Sequence, residues 1–526
     1  HFTTCAMAPT SLAAPLCLSG PGPAQAVPRR AVETVQPRAT AVKASERVAV
    51  VGAGPVGLLT ALALARRGFR KVQVFDRLPE PPGPEAEVWG NPDRSYNLGI
   101  GGRGQRALTR FGVMERVDRF SQTVVGRKDW SSEGEPKVTI NNRRYLTKVI
   151  ARDRLSSCLY QELRETYPEV QVQFSTECTG VDFAAHPRLH VRRCGAMAEQ
   201  SDECQVEGEG EQLEADFIVG ADGVGSAVRQ ALCSQGVAAS QHRFTDRRPI
   251  VYRVLAIPTE EGDRTDLNCS ARKDNVIVEA LPNVEGNLLG VVLFRPDDER
   301  IQNLKSGAEA KAVFQELFPE WPTPLIEDAE WEAFAARKTR ELPQFAYAGP
   351  DLSLGGKCCL LGDAIHSVKP FFGLGLNSGF EDISVLDQCL EETGSDPSKA
   401  LQLYSRRRAP EARCLVECQR RFDQPTDLRF ALAFVLPLVL DSIFSKSLPS
   451  IFAPSILALF QDGELSFTAA RRRKRRDRIL QVLLLLGGAV AAGVALRAAV
   501  RVACWLLGRG APHHALAWLH LHHEML

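Results

Sequence analysis

None of the 14 cysteines pair in a C-x-x-C spacing, which excludes a dithiol redox motif and a paired-thiolate zinc site. The thiols are scattered, with one vicinal pair, Cys358 and Cys359, and one i, i+4 pair, Cys414 and Cys418. This predicts mostly reduced cysteines in a reducing compartment. Net charge is lacking as well: 64 basic and 63 acidic side chains leave +1, so no global field recruits nucleic acid. Acid is scarce at the start of the chain, where Glu33 is the single carboxylate in residues 1–45, among six prolines and several arginines. That composition predicts a transit peptide. Its prolines break any long amphipathic helix, which favours a plastid over the mitochondrial outer membrane as destination; a disordered tail is the alternative. Charge vanishes again over the 18 residues 479–496, long enough for a membrane-spanning helix. The basic block at residues 471–478 just before it completes a stop-transfer pattern, with a buried or in-plane helix as the alternative.

Residues 47–77 (RVAVVGAGPVGLLTALALARRGFRKVQVFDR) organise the rest of the chain. The unalternating apolar run 48–51 suits a parallel strand buried on both faces. Gly52, Gly54 and Gly57 follow in G-x-G-x-x-G spacing, for a tight turn, close approach to a pyrophosphate and close helix packing. The next helix is rich in leucine and alanine and stops at Gly68, so its N-terminal amides face the phosphates. A second strand ends in Asp76, 76 − 57 = 19 residues beyond the last glycine, where a carboxylate accepts from ribose hydroxyls. There is no second fingerprint of this kind, so one dinucleotide is resident and any other is a visitor.

Further along, residues 94–98 read as a short strand, 103–111 as a helix closed by Gly112, and 124–140 as a hairpin. Residues 153–167 read as a helix with Asp153 as N-cap. The acidic stretch 199–214 reads as a solvated loop. Residues 215–223 form a strand ending in Asp222-Gly223, and 249–294 an antiparallel sheet, followed by a helix over 309–318. Strand 358–361 ends in Gly362-Asp363-Ala364, and the run PFFGLGLNSG leads into a helix over 380–391. The predicted fold is α/β: a discontinuous dinucleotide-binding domain (46–120, 145–240, 345–425) carrying an inserted antiparallel sheet (121–144, 241–344). A helical region (426–470), a membrane anchor (479–507) and a tail (508–526) follow.

Three motifs in order resemble the group A FAD-dependent aromatic monooxygenases: the fingerprint with Asp76, the Asp222-Gly223 turn, and Gly362-Asp363-Ala364-x-His366 with Pro370 to Gly379. Within that group the chain is most similar to the kynurenine 3-monooxygenases, through Arg94-Ser95-x-Asn97-Leu98, Arg103-Gly104, Arg152-Asp153-x-Leu155 and Phe380-Glu381-Asp382. The resemblance covers residues 46–410. It implies a glutathione-reductase-type FAD domain with Gly52, Gly54, Gly57, Asp76 and Arg77 at the ADP half, and Arg152 near the pyrophosphate. Asp363 would lie at the ribityl chain, and Gly375, Leu376 and Asn377 at the ring, beneath a helix dipole starting at Phe380. Asp222 and Gly223 would support FAD and a passing NADPH or NADH.

The resemblance also implies hydroxylation of an aromatic, carboxylate-bearing substrate with O₂ through a flavin C4a-hydroperoxide. Arg94 would pair with the carboxylate, while Asn377 and Glu381 shape the site. A structural surface arginine is the alternative for Arg94, and a structural role is favoured over acid-base duty for His366. The histidines at 513, 514, 520, 522 and 523 are not read as a metal site, since no cysteine stands among them and Glu524 is the one acid beside them. Two departures stand out: Leu374 replaces the family's glutamine, and residues 411–422 lack the tyrosines that complete the amino-acid pocket. Two other readings share the fold, a membrane-associated isoprenoid or lipid epoxidase or reductase, and a non-catalytic flavoprotein.

Overall fold

The computed structural model describes residues 46–93, 96–130, 136–141, 144–195, 206–235, 239–260, 262–423 and 428–507. The expectations for residues 1–45, for Arg94 and for the tail histidines lie outside these residues.

Six strands from distant parts of the chain form one sheet, in the order Ser353–Leu354, Cys358–Leu360, Phe217–Gly220, Arg47–Val51, Lys71–Phe75, Gln171–Gln173. All neighbours are parallel except the first pair. Val48 lies opposite both Phe217 and Val72, so the first strand is central, and Val48 to Val51 are buried on both faces as an unalternating run requires. The helix Pro55–Arg66 is buried along nearly its whole length, which is why it is apolar all round.

A seven-stranded sheet has the order Arg340–Glu341, Val251–Ile257, Leu288–Phe294, Val276–Pro282, Leu267–Lys273, Gly126–Trp130, Lys137–Ile140. It is antiparallel except where Gly126–Trp130 runs parallel to Leu267–Lys273. One face packs on the helices Gly307–Leu317 and Asp328–Ala336, where Phe314 meets Trp331 at 5.1 Å and Phe334 at 5.5 Å between ring centroids. The alternate residues point the other way.

The chain ends in the helices Pro397–Gln419, Leu436–Ser447, Ile456–Asp462 and Phe467–Leu507. Among the described residues, the last is the one helix long and apolar enough to cross a membrane, and its apolar window is almost wholly exposed. Ten described cysteines are free; Cys194 is disulfide-bonded. Burial pushes the Cys358 and Cys359 thiols up, which makes the vicinal pair inert packing.

Four local expectations are corrected. Within the acidic stretch, Val206–Glu214 is a strand paired antiparallel with Pro187–Cys194, its Glu214 carboxylate answered by Arg47 and Arg188. The helix Arg152–Thr166 starts one residue before Asp153, so Asp153 sits in its first turn and Ala151 takes the cap position without a side-chain bond. The short strand is Asn97–Ile100, running into the helix Gly102–Arg110. The helix expected from Phe380 begins at Leu374 and runs to Glu392, because Gly373 takes the left-handed conformation (φ 62°) that turns the chain into it.

Candidate active site

The glycine turn is fixed by backbone contacts that exclude a side chain. Gly52 has φ +102°, and a Cβ there would lie 2.4 Å from the Ala221 carbonyl oxygen; one on Gly57 would lie 1.8 Å from the Gly52 oxygen. Asp76 closes the turn by accepting from the Ala53 amide (2.6 Å) and the Leu78 amide (2.8 Å). The helix that follows is capped by Gly54 without any side-chain bond, which leaves its first-turn amides available to an anion.

From the far side of the chain, Cys358–Leu360 delivers Asp363 on a single 3₁₀ turn, Gly362–Ala364. Burial pushes the Asp363 carboxyl up, against the pull of His366 and Arg152. The Leu374–Glu392 helix again starts on a glycine with no side-chain cap, so a second set of free amides opens beside Asp363. An added Cβ on Gly375 would meet Asp363 Oδ1 at 3.9 Å, and one on Gly54 would meet Arg152 Nη2 at 3.8 Å.

These pieces wall one cavity of about 1160 Å³. Gly54, Arg152, Gly223, Asp363, Gly375 and Leu376 line one side; Tyr252, Ile277, Leu281, Val291 and Leu293 of the seven-stranded sheet, with Ile250 just before its strand, line the other. Phe371 and Phe372 also line it, as do Pro454 and, from the helix Ile456–Asp462, Ala458 and Leu459.

Not every sequence-predicted residue reaches this wall. Gly52, Gly57 and Asp76 shape the turn from behind it, and Arg77 is exposed elsewhere. Asp222 is turned back: it accepts from Ser226 Oγ (2.5 Å) and the Val228 amide (3.1 Å), starting the helix Ala227–Ser234, and burial pushes its carboxyl up. Asn377 and Glu381 are also absent from the wall. They lie i, i+4 on the face of their helix that meets Gly102–Arg110. Asn377 Oδ1 accepts from the Gly101 (2.8 Å) and Gly104 (3.2 Å) amides, and its Nδ2 donates to the Gly99 (2.9 Å) and Gly373 carbonyls. Glu381 pairs with Arg103 and with Arg408, the latter at 3.0 Å.

The sequence reading missed what lies on the next face. Arg408 Nε donates to Asp382 Oδ1 at 2.8 Å, and Asp382 Oδ2 also holds the Gly362 amide (2.9 Å) and His366 Nε2 (2.8 Å). His366 is fully buried in this cluster, so Asp382 ties the turn bearing Asp363 to two helices. The adjacent Glu381-Asp382 pair was the available signal, since two carboxylates on a buried helix need cations to answer them.

Residues 45–419 match the family described as FAD binding domain. The kynurenine 3-monooxygenase of Salinispora arenicola is 30% identical over 470 residues, 86% of this chain and 97% of that protein. The chain belongs to the FAD-dependent monooxygenase family that includes the kynurenine 3-monooxygenases. The Candida albicans kynurenine 3-monooxygenase is 26% identical, over 83% of this chain and 93% of its own length. A structure of the tetrameric form of 2-methyl-3-hydroxypyridine-5-carboxylic acid oxygenase shares the fold at TM-score 0.55 and 21% identity, over 81% of this chain and 98% of that one.

For this FAD-dependent monooxygenase the wall fits the cofactor chemically. Two uncapped helix starts and the Arg152 guanidinium suit a pyrophosphate and a flavin ring that gains negative charge, and the Asp363 carboxylate suits hydroxyl donors. When bound, FAD supplies hydride acceptance and reaction with O₂. Asn377 ties the start of the Leu374–Glu392 helix to residues 99–104. Asn377→Ala should cost roughly 1–3 kcal/mol, because the buried amides and carbonyls it pairs are left unmet. A thermal unfolding midpoint equal to wild type would show that water replaces the side chain.

Proposed function

We propose that this monooxygenase takes electrons from NADPH or NADH and inserts one atom of O₂ into the ring of an aromatic, kynurenine-like substrate bearing a carboxylate. The observation that carries this reading is the single cavity shared by Gly54, Asp363 and the seven-stranded sheet. Ile250, Ile277, Leu281, Val291 and Leu293 give it an apolar floor on which an aromatic ring excludes water, the condition under which oxygen transfer outruns peroxide release. Gly52, Gly54, Gly57, Asp76 and Arg152 would hold the ADP half of FAD, and Asp363, Gly375 and Leu376 the flavin half; Arg94 is proposed for the carboxylate.

With the full-length chain in detergent, L-kynurenine should accelerate NADPH oxidation saturably and yield a product one oxygen atom heavier. The favoured reading fails if only a lipid extract stimulates the reaction. That result would support an isoprenoid or lipid epoxidase, a reading favoured by Pro454, Ala458 and Leu459, which line the cavity on the segment leading to the apolar helix. Bound flavin with no response to any substrate would indicate a non-catalytic flavoprotein.

Membrane anchoring is proposed from the same end of the chain. Leu483, Leu486, Val490, Val494 and Leu496 are all at least half exposed on the Phe467–Leu507 helix, and apolar surface of this extent needs a non-aqueous partner. Leu432, Val439 and Ile443 are exposed on the neighbouring Leu428–Ser447 region. A chain ending at Gln481 keeps the buried contacts of Asp441 with Lys474 (2.8 Å) and Arg478 (3.2 Å), and should move from the membrane pellet to the soluble fraction. If it stays in the pellet, the membrane contact lies in residues 428–451 instead. The composition of residues 1–45 supports a plastid destination, with the mitochondrial outer membrane as the alternative.

A further inference from the structure

The arginines that line the cavity on and beside the seven-stranded sheet are not equivalent. Arg127 and Arg272 are both answered by Glu279, at 3.6 Å and 2.9 Å. Arg248 and Arg295 also line the cavity, but neither has a carboxylate partner among the described residues. Arg248 Nη2 donates to Asn275 Oδ1 at 3.4 Å, and Arg295 has no side-chain partner there.

Register brings these groups together. Ile277 lies opposite Leu293 and Val251 opposite Phe294, so these three strands end together, and Arg248, Asn275 and Arg295 stand just beyond those ends, all lining the cavity. Asn275 sits in a tight turn with φ 67°, which holds its side chain at the end of the sheet.

The acids nearby are spoken for. Lys369, fully buried, pairs with Asp246 (3.1 Å) and Asp423 (3.5 Å), and Asp423 also accepts from the Arg247 amide (3.0 Å). Arg300 holds Asp298 (2.7 Å) and Asp274 (3.6 Å). The Lys369 cluster carries one net negative charge, less than the two cations beside it. It also ties residues 246–248 to the segment entering Pro370, Phe371 and Phe372, which line the cavity.

We propose that Arg248, Asn275 and Arg295 form an anion subsite at this end of the cavity, taking the planar oxygens of a carboxylate or the oxygens of a phosphate. The inference rests on the reading of the cavity as the substrate site. It gives that reading a second cationic anchor, carried by the sheet, where the tyrosines of the family's amino-acid pocket are missing from residues 411–422. Two guanidinium forks bordering the cavity at the end of an apolar floor would orient a ring whose acid group stands off its edge.

The test is calorimetric titration of the full-length, FAD-loaded protein with sodium benzoate, with benzamide as the neutral counterpart. Each of Arg295→Met and Arg248→Met should weaken benzoate about tenfold or more, with benzamide unchanged and Arg295→Lys intermediate. If benzoate is unaffected while the affinities for inorganic phosphate and NADPH fall and that for NADH does not, the subsite stands and its occupant is the reductant's phosphate. The proposal is overturned if the double variant, with full flavin content, binds benzoate, phosphate and NADPH as wild type does. Failure of kynurenine to stimulate the wild-type enzyme would reject the proposed reaction, and the titrations would still decide the subsite.

Discussion

Gly57→Ala should purify without flavin. The added methyl carbon would stand 1.8 Å from the Gly52 carbonyl oxygen, and Gly52 is itself pinned, its own Cβ position lying 2.4 Å from the Ala221 oxygen. Nothing in that stack is the end of a flexible side chain, so the helix Pro55–Arg66 must move. It cannot move freely, because a Cβ on Gly379 would meet the Val56 side chain at 2.7 Å, which shows how closely the Leu374–Glu392 helix approaches it. Overpacking of this kind costs about 1–3 kcal/mol of stability. The larger loss is in binding, since the amides at the helix start lose their alignment on the pyrophosphate. The measurement is the visible flavin absorption of the purified variant. A fully yellow Gly57→Ala would mean that the turn tolerates displacement.

The second large effect is on folding. Arg408 is 2% exposed and answers two carboxylates, Asp382 and Glu381. Arg408→Met should destabilise the protein by about 3–5 kcal/mol, because it strands buried negative charge. Burial alone would raise the Asp382 carboxyl, but Arg408, His366 and the Gly362 amide outweigh it and hold it below its ordinary value. A carboxyl depressed in the folded state stabilises it above the unfolded pKa and loses that contribution as pH falls. The gap between wild type and variant in thermal unfolding should therefore be full at neutral pH and narrow below about pH 4. Adding Asp382→Asn should restore part of the loss. An Arg408→Met protein as stable as wild type at neutral pH would contradict the role of this cluster.

Much of this arrangement was legible in the sequence. The run 48–51, the glycine spacing and Asp76 each follow from a local rule, and the parallel sheet repeats that rule at 217–220 and 358–360. The floor of the cavity was half legible: the apolar, β-rich run 276–282 marks a strand without saying which of its two faces meets a cavity. What the sequence hid were facts of direction. Asn377 and Glu381 sit in a motif beside Gly375 and Leu376, yet on a helix two residues turn a side chain through more than half a circle. The amide and carboxylate therefore face Gly102–Arg110 and not the cavity. The early start of that helix was hidden because Gly373, Gly375 and Asn377 are poor helix formers, and tertiary packing overrides their preference. The acidic strand 206–214 was hidden because Arg47, which answers its Glu214, lies far away in the chain.

The central claim is that two separated parts of the chain, the turn at Gly52 to Gly57 and the carboxylate of Asp363, hold one FAD against the seven-stranded sheet. An electron-density or cryo-EM map of the full-length protein with FAD tests this most directly. The account predicts one flavin running from the Gly54 turn past Arg152 to Asp363 and Gly375, with its ring edge open to Ile277 and Leu293. A flavin bound elsewhere, or a cavity that closes between Gly54 and Asp363 when FAD is supplied, would contradict it.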